Sequence, residues 1–332
     1  MRRIWFGLAV FVAALGVTAA AGASSNGARL SLVAYSTPRE AYAKLIPLFH
    51  ATPAGKDVDF TQSYGASGDQ ARAVKAGLKA DIVALSLAPD VDDLVNAGLV
   101  DAKWKRQSYR GMVTDSVVVF AVRDGNPKKI KGWDDLLKPG VSVITPNPFT
   151  SGGARWNVMA AYGSWLKLGK TKAQARQKLL GLFKNVSVQD KSARDSLNTF
   201  LSGKGDVLLT YENEAIAAQL AGQNLQYVIP RTTILIENPI AVLKSSENKT
   251  EANAFVRFLK TPAAQQVFAD RGYRPIVKSV LEKNRKKFPV RPGQFTIDQL
   301  GLGGWTKVQR DFFDPDKGIM ATIEKQVGGV TG

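Results

Sequence analysis

The 332-residue chain has no cysteine and a single histidine. Without cysteine there are no disulfides, no thiolate metal sites and no lipid-anchored cysteine. A Ser-His-Asp triad would rest on His50 alone, and no serine elbow accompanies it. His50 therefore reads as a surface histidine rather than a catalytic base. His, Asp and Glu never fall at zinc or calcium spacing, so neither metal nor cofactor is expected. There is no low-complexity tract and no repeat at a solenoid period. Acidic residues are scarce: 28 Asp and Glu stand against 45 Lys and Arg, a net charge of +17. The basic residues are scattered, with modest clusters at 103–106 and 283–288. No zinc-finger spacing, RNP motif or basic zipper organises them, so nucleic acid is not the expected partner. A solvated basic surface, at most steering small anions, is the simpler reading. "GSWLKLGKT" at 163–171 imitates a phosphate loop, but five residues separate its glycines instead of four, and it ends a helix.

Long apolar runs are confined to the N-terminus. Arg2 and Arg3 precede an apolar stretch from Ile4 to Val17, and Ala21 and Ala23 have small-x-small spacing. Residues 1–23 thus read as a cleavable secretory signal peptide. The run falls short of the ~20 residues that span a bilayer. The expected product is a free monomer outside the cytoplasm, most simply in a periplasm. Its length can bury a sufficient core without disulfides.

From residue 28 onward, short apolar strands alternate with amphipathic helices, the pattern of an α/β fold with parallel strands flanked by helices. An unusually long apolar strand at 115–126 and an extended stretch before residue 244 interrupt the alternation. Two lobes are expected, 29–115 with 236–332 as the first and 116–235 as the second, with a crevice between them. "EANAFVRFLKTPAAQQVFADRG" reads as a helix pair, and the tail after it as a polar–aromatic end section.

Three strand-to-helix junctions share one logic. In "PNPFTSGGARWN" (146–157) Ser151 can cap a helix whose first N–H groups belong to Gly152 and Gly153. In "SYGASGDQARAV" Ser67, three before Gln70, fits a capping box, with Gly68 beside it. In "DKSARDSLNTF" Ser192 precedes Asp195 in the same way and leaves Ala193 and Arg194 in the first turn. Any one is ordinary architecture. Three at strand carboxyl ends point to a crevice ringed by helix N-termini, each with about half a positive charge and unpaired donors. That is an anion site. The absence of an adjacent acid in "SGGARWN" suits an ion with no hydrogen to donate. "ENE" (212–214) reads as a charged helix start, since its carboxylates point apart at i and i+2. Trp156, spaced helically to Met159 and Ala160, suits burial.

The strings "VSVITPNPFTSGGARWN", "GASGDQARAVKAGLKADIVALSLAPDVD", "GDVLLTYENEA" and "GGWTKVQRDFF" resemble the sulfate- and thiosulfate-binding proteins of bacterial ABC importers. The likeness runs from about residue 29 to 315. It implies a two-lobed periplasmic-binding-protein fold of type II, which closes over a dehydrated oxyanion held by neutral donors. The loaded protein is then presented to a membrane permease–ATPase complex. By motif, Ser67 gives hydroxyl and N–H, Ser151, Gly152 and Gly153 give hydroxyl and backbone donors, and Ala193 gives an N–H. The sixth position departs from the pattern: Tyr211 stands where the family often has Trp. A phenol can accept as well as donate, which leaves thiosulfate, phosphate and molybdate as competitors of sulfate. Ser36 stands where Asp is frequent, and "SYGASG" replaces "SHGGSG". Arg39, Arg155 and Arg194, with Ser36 and Gly68, are expected around the site rather than on the ion. The rival of another class is an exported sulfo- or phosphoryl-transfer enzyme using the same cradle, against which the scarcity of histidine counts.

Overall fold

The computed structural model describes residues 27–331, and the expected signal segment lies outside them. In chain order the elements begin with β1 (Ala28–Tyr35), α1 (Arg39–His50), β2 (Val58–Gly65), α2 (Ser67–Lys75), β3 (Ile82–Ala84) and α3 (Ala88–Asn96). Next come β4 (Met112–Arg123), β5 (Val143–Ile144), α4 (Gly152–Lys167), α5 (Lys172–Lys184), β6 (Val186–Val188) and α6 (Ala193–Leu201). β7 (Val207–Tyr211), α7 (Glu212–Leu220), β8 (Leu225–Val228), β9 (Thr232–Val242), α8 (Lys249–Leu259) and α9 (Pro262–Asp270) follow. The chain ends with α10 (Lys278–Lys283), β10 (Gly293–Phe295), α11 (Gly304–Phe313) and α12 (Ile319–Val327). Among the described residues no helix is long and apolar enough to cross a membrane.

The strands run β2-β1-β3-β9-β4-β7-β5-β6, with β10 on β9 and β8 on β4. β1 pairs parallel with β2 and β3, and β5 pairs parallel with β6 and β7. Two long antiparallel strands join these halves. β4 spends Met112–Val117 on β9 and Val118–Arg123 on β7 and β8. β9 likewise reaches β3 through Ile240–Val242. This accounts for the long apolar run in the sequence. Val118, Phe120 and Val122 face one core, and Val117, Val119 and Ala121 face another, so neither side of the strand is wet.

In the first half, Leu30, Leu32 and Ala34 pack with Tyr42, Leu45 and Phe49 of α1 and with Phe255 and Phe268 of the paired α8 and α9. In the second half, Trp133, Trp156, Trp165, Leu179 and Phe183 share one core with Phe120, whose ring meets Trp133 edge-on. Two features went unread in the sequence. α5 is a full helix, with Thr171 and Gln174 as a reciprocal capping box. The tail forms α11 and α12, whose Val308, Phe312, Met320 and Ile323 join the second half's core. The segment expected as one piece, 236–332, therefore divides: α8 and α9 pack on the first half, and β10, α11 and α12 on the second.

At the junction of the halves, Asp115 on β4 lies directly opposite Glu237 on β9. Like charges so placed repel. Arg110 pairs with Glu237, while Asp115 is locked by two backbone bonds to Arg274, 2.9 and 2.8 Å. Burial, then Glu237, push the Asp115 carboxyl up to about 8, against Arg110 and Arg274. A carboxyl raised on folding stabilises the fold while protonated in both states. That contribution is lost as pH climbs from the ordinary value of 3.8 toward about 8. Asp115→Asn should therefore raise the melting temperature by several degrees at pH 8 and by less at pH 5. Equal shifts at both pH values in a thermal scan would contradict this.

Candidate functional site

α4 begins as expected. Ser151 Oγ accepts from the Ala154 N–H at 3.4 Å, and the preceding loop is fixed by Asn147, whose side chain receives the Phe149 N–H at 2.8 Å. The glycines are demanded by space. A Cβ on Gly152 would lie 2.2 Å from Leu87 Cδ2 and 2.6 Å from Ser86 Oγ. A Cβ on Gly153 would lie 2.8 Å from the Tyr211 ring and 3.3 Å from the Ala193 Cβ. Backbone thus approaches side chains from two other elements more closely than any other residue allows. As first-turn residues, their N–H groups have no intrahelical acceptor.

α6 also starts as read from the sequence. Ser192 Oγ accepts from the Asp195 N–H at 3.2 Å, leaving Ala193 first in the helix beside Gly153. α2 does not. Ser67 is its first helical residue, and the cap position belongs to Ala66, which makes no side-chain bond. Gln70 turns away to the Ala34 carbonyl and to Ser63. The Ser67 hydroxyl instead donates to Asp90 Oδ2 at 2.5 Å and accepts from the Ser86 N–H at 2.9 Å. Its one hydrogen is committed, so in this arrangement only its backbone N–H is free for a ligand. Gly68 is part of the contact itself, its N–H bonding the Thr150 carbonyl at 3.0 Å just ahead of α4.

Tyr211, the last residue of β7, is buried, with its hydroxyl 2.6 Å from Ser86 Oγ. Burial raises the phenol well above its usual range, so it stays protonated. Ser86 therefore links Ser67, Gly152 and Tyr211, while Gly153 lies against Tyr211 and Ala193, with Ser151 capping beside them. Ser36 is half-buried just past the end of β1. Arg39 is exposed and stacks on Tyr64 at 4.6 Å, outside this cluster.

The remaining arginines are occupied. Arg155 is buried, and its Nη1 meets Asp90 Oδ1 at 3.1 Å. Arg194 holds both oxygens of Glu214 at 2.8 Å and reaches Glu40 on α1 at 2.6 Å. The "ENE" carboxylates are not a solvated helix start. Glu212 and Glu214 are fully buried, Glu212 being held by Arg274 at 2.6 and 3.1 Å. Burial raises Asp90 and Glu214, and Arg155 and Arg194 respectively oppose it. Ser86, Asp90, Glu40 and Glu214 went unremarked in the sequence as site residues. Ser86 alone carried a signal, standing just beyond the carboxyl end of a strand. Among the described residues, no group of three or more His, Asp or Glu is placed to hold a metal ion.

Residues 30–274 match the family described as bacterial extracellular solute-binding protein. A sulfate-binding protein of Synechococcus elongatus is 43% identical over 93% of this chain and 90% of its own. A thiosulfate-binding protein of Pseudomonas aeruginosa is 34% identical over 94% of this chain and 96% of its own. The solved structure of the sulfate-binding protein SubI from Mycobacterium tuberculosis H37Rv matches with a TM-score of 0.83 and 42% identity, covering 86% of this chain and all of that one. The chain accordingly belongs to the bacterial extracellular solute-binding proteins, in the family of the sulfate- and thiosulfate-binding proteins, with their two-lobed type II α/β fold.

Proposed function

We propose that this protein captures sulfate outside the cytoplasm and hands it to an ABC importer's permease and ATPase, acting as a monomer and doing no chemistry. Thiosulfate is the nearest competitor. The observation that carries the reading is the convergence of three helix N-termini on one point where every neighbouring carboxylate is already bonded. The donors are the N–H groups of Ser67, Gly152, Gly153 and Ala193, with the Ser151 hydroxyl, which accepts from Ala154 and keeps its own hydrogen. Tyr211 completes the ring. Sulfate has no hydrogen to give and fits such a set. Hydrogen phosphate carries an O–H that needs an acceptor, and the neighbouring carboxylates of Asp90 and Glu214 are already turned to Ser67, Arg155 and Arg194 rather than to the centre. Leaving that O–H unpaired would cost about 1–3 kcal/mol.

The capture is a closure of two lobes about β4 and β9. We take the first lobe as 29–115 with 236–292 and the second as 116–235 with the tail from Gly293, whose helices pack into the second half's core. Closure brings Gly68 to Thr150, Arg194 to Glu40 and Arg155 to Asp90. In an open form each of these would meet water, so their strength belongs to ligand affinity more than to lobe stability.

Calorimetric titration of the dialysed mature protein should give tight one-to-one sulfate binding and no heat with phosphate. A preference for phosphate would refute the acceptor-free site. Gly152→Ala should leave the ligand-free melting temperature unchanged but weaken sulfate binding by roughly tenfold or more, since its methyl meets Ser86 and Leu87 only on closure. Arg155→Met should cost about 3 kcal/mol of affinity, because closure would then bury an uncompensated Asp90. An unchanged Kd for either variant would remove that contact from the mechanism.

A further inference from the structure

Ser86 is not among the groups that the motif assigns to the anion, yet it sits at the centre of them. It lies between β3 and α3 and is buried. Its backbone is held on three sides. The N–H donates to Ser67 Oγ at 2.9 Å, and the carbonyl accepts from the Trp156 indole at 3.0 Å and the Asn238 amide at 2.9 Å. Its hydroxyl has one protein partner, the Tyr211 hydroxyl at 2.6 Å. The same oxygen lies against Gly152, where a Cβ would come within 2.6 Å of it, and Tyr211 lies against Gly153, with 3.1 Å from a would-be Cβ to the phenol oxygen. The two hydroxyls thus cover the first two residues of α4, one from each half of the sheet.

Two hydroxyls bonded to each other share one of their two hydrogens, and the other remains for the ligand. A phenol is the more acidic partner and gives its hydrogen more readily than an aliphatic alcohol does. With Tyr211 donating to Ser86, the outward hydrogen belongs to serine. We propose that Ser86 is a specificity-determining residue of the anion site, the hydroxyl that donates to the bound oxyanion at this corner, and that Tyr211 is a positioning residue acting through it. This rests on the sulfate-capture reading above. It goes beyond that reading by moving the contact from the phenol to the serine. Because the pair joins the two halves, it forms on closure and contributes to affinity.

The test is sulfate calorimetry on the wild type, Ser86→Ala, Tyr211→Phe, the double variant and Ser86→Cys, with ligand-free melting temperatures alongside. Each single variant should bind roughly tenfold more weakly, as for a lost hydrogen bond to a charged group. The double variant should bind no more weakly than Ser86→Ala. Ser86→Cys, whose thiol is a weak donor, should fall between the wild type and Ser86→Ala. Melting temperatures should stay near that of the wild type, which a purely structural role would not allow. Losses that multiply in the double variant, or full affinity in Ser86→Ala, would place the contact on Tyr211 and overturn the proposal. A wild type that binds no sulfate, while its fold and melting are intact, would instead defeat the functional reading on which this one stands.

Discussion

Each buried carboxylate beside the crevice is tied to an arginine, and the rest of the site depends on it. Asp90 holds Arg155, and Glu214 holds Arg194. Without these pairs, two negative charges would lie close to helix N-termini that attract anions. They would compete with the ligand for the same donors or repel it. The pairing also engages the acceptor oxygens of Asp90 and Glu214. What faces the centre is a set of N–H and O–H groups backed by helix dipoles. The net charge of buried groups near the ligand is balanced within the protein, and the arginines serve the carboxylates rather than the ion.

These pairs also connect the two halves. Arg194 of α6 reaches Glu40 of α1 as well as Glu214, and Arg155 of α4 reaches Asp90 of α3. The exposed part of this set contributes little, because surface ion pairs are screened. The buried Arg155–Asp90 pair is different. Its value depends on the water having left, which the proposed closure would bring about. Ser67 belongs to the same unit, since its hydroxyl hydrogen is spent on Asp90. Charge neutralisation, closure and the orientation of α2's first turn are thus one network.

Much of this was legible in the sequence, and what was missed has physical reasons. The glycines at 152 and 153, and the caps at Ser151 and Ser192, are local signals, and local signals survive reading. Ser67 misled because Ser-x-x-Gln matches a capping box, but its hydroxyl found a charged acceptor 23 residues away. A charge-assisted bond outcompetes a cap to a backbone N–H. Glu212 and Glu214 misled for the same reason: periodicity separates them, and only the fold supplies an arginine for each. The tail helices lack a strong cap, and α11 starts on two glycines with positive φ. Their apolar faces make sense only against α4 and α5.

The positive charge of the whole chain then has a narrower role than its size suggests. The groups proposed to face the anion are neutral, and the arginines closest to them are bonded to carboxylates. Exposed basic side chains act through water, over a Debye length of about 8 Å at physiological salt. Their field can raise the rate at which an anion reaches the open crevice. It cannot choose between two dianions of similar size. Choice falls to the dry centre, where one hydroxyl hydrogen more or less decides whether an oxygen is bonded. A phenol placed alone at that centre would leave its orientation free, to donate or to accept. A serine bonded to it at 2.6 Å restricts that freedom. On the proposed assignment, the pair presents one hydrogen outward at this corner.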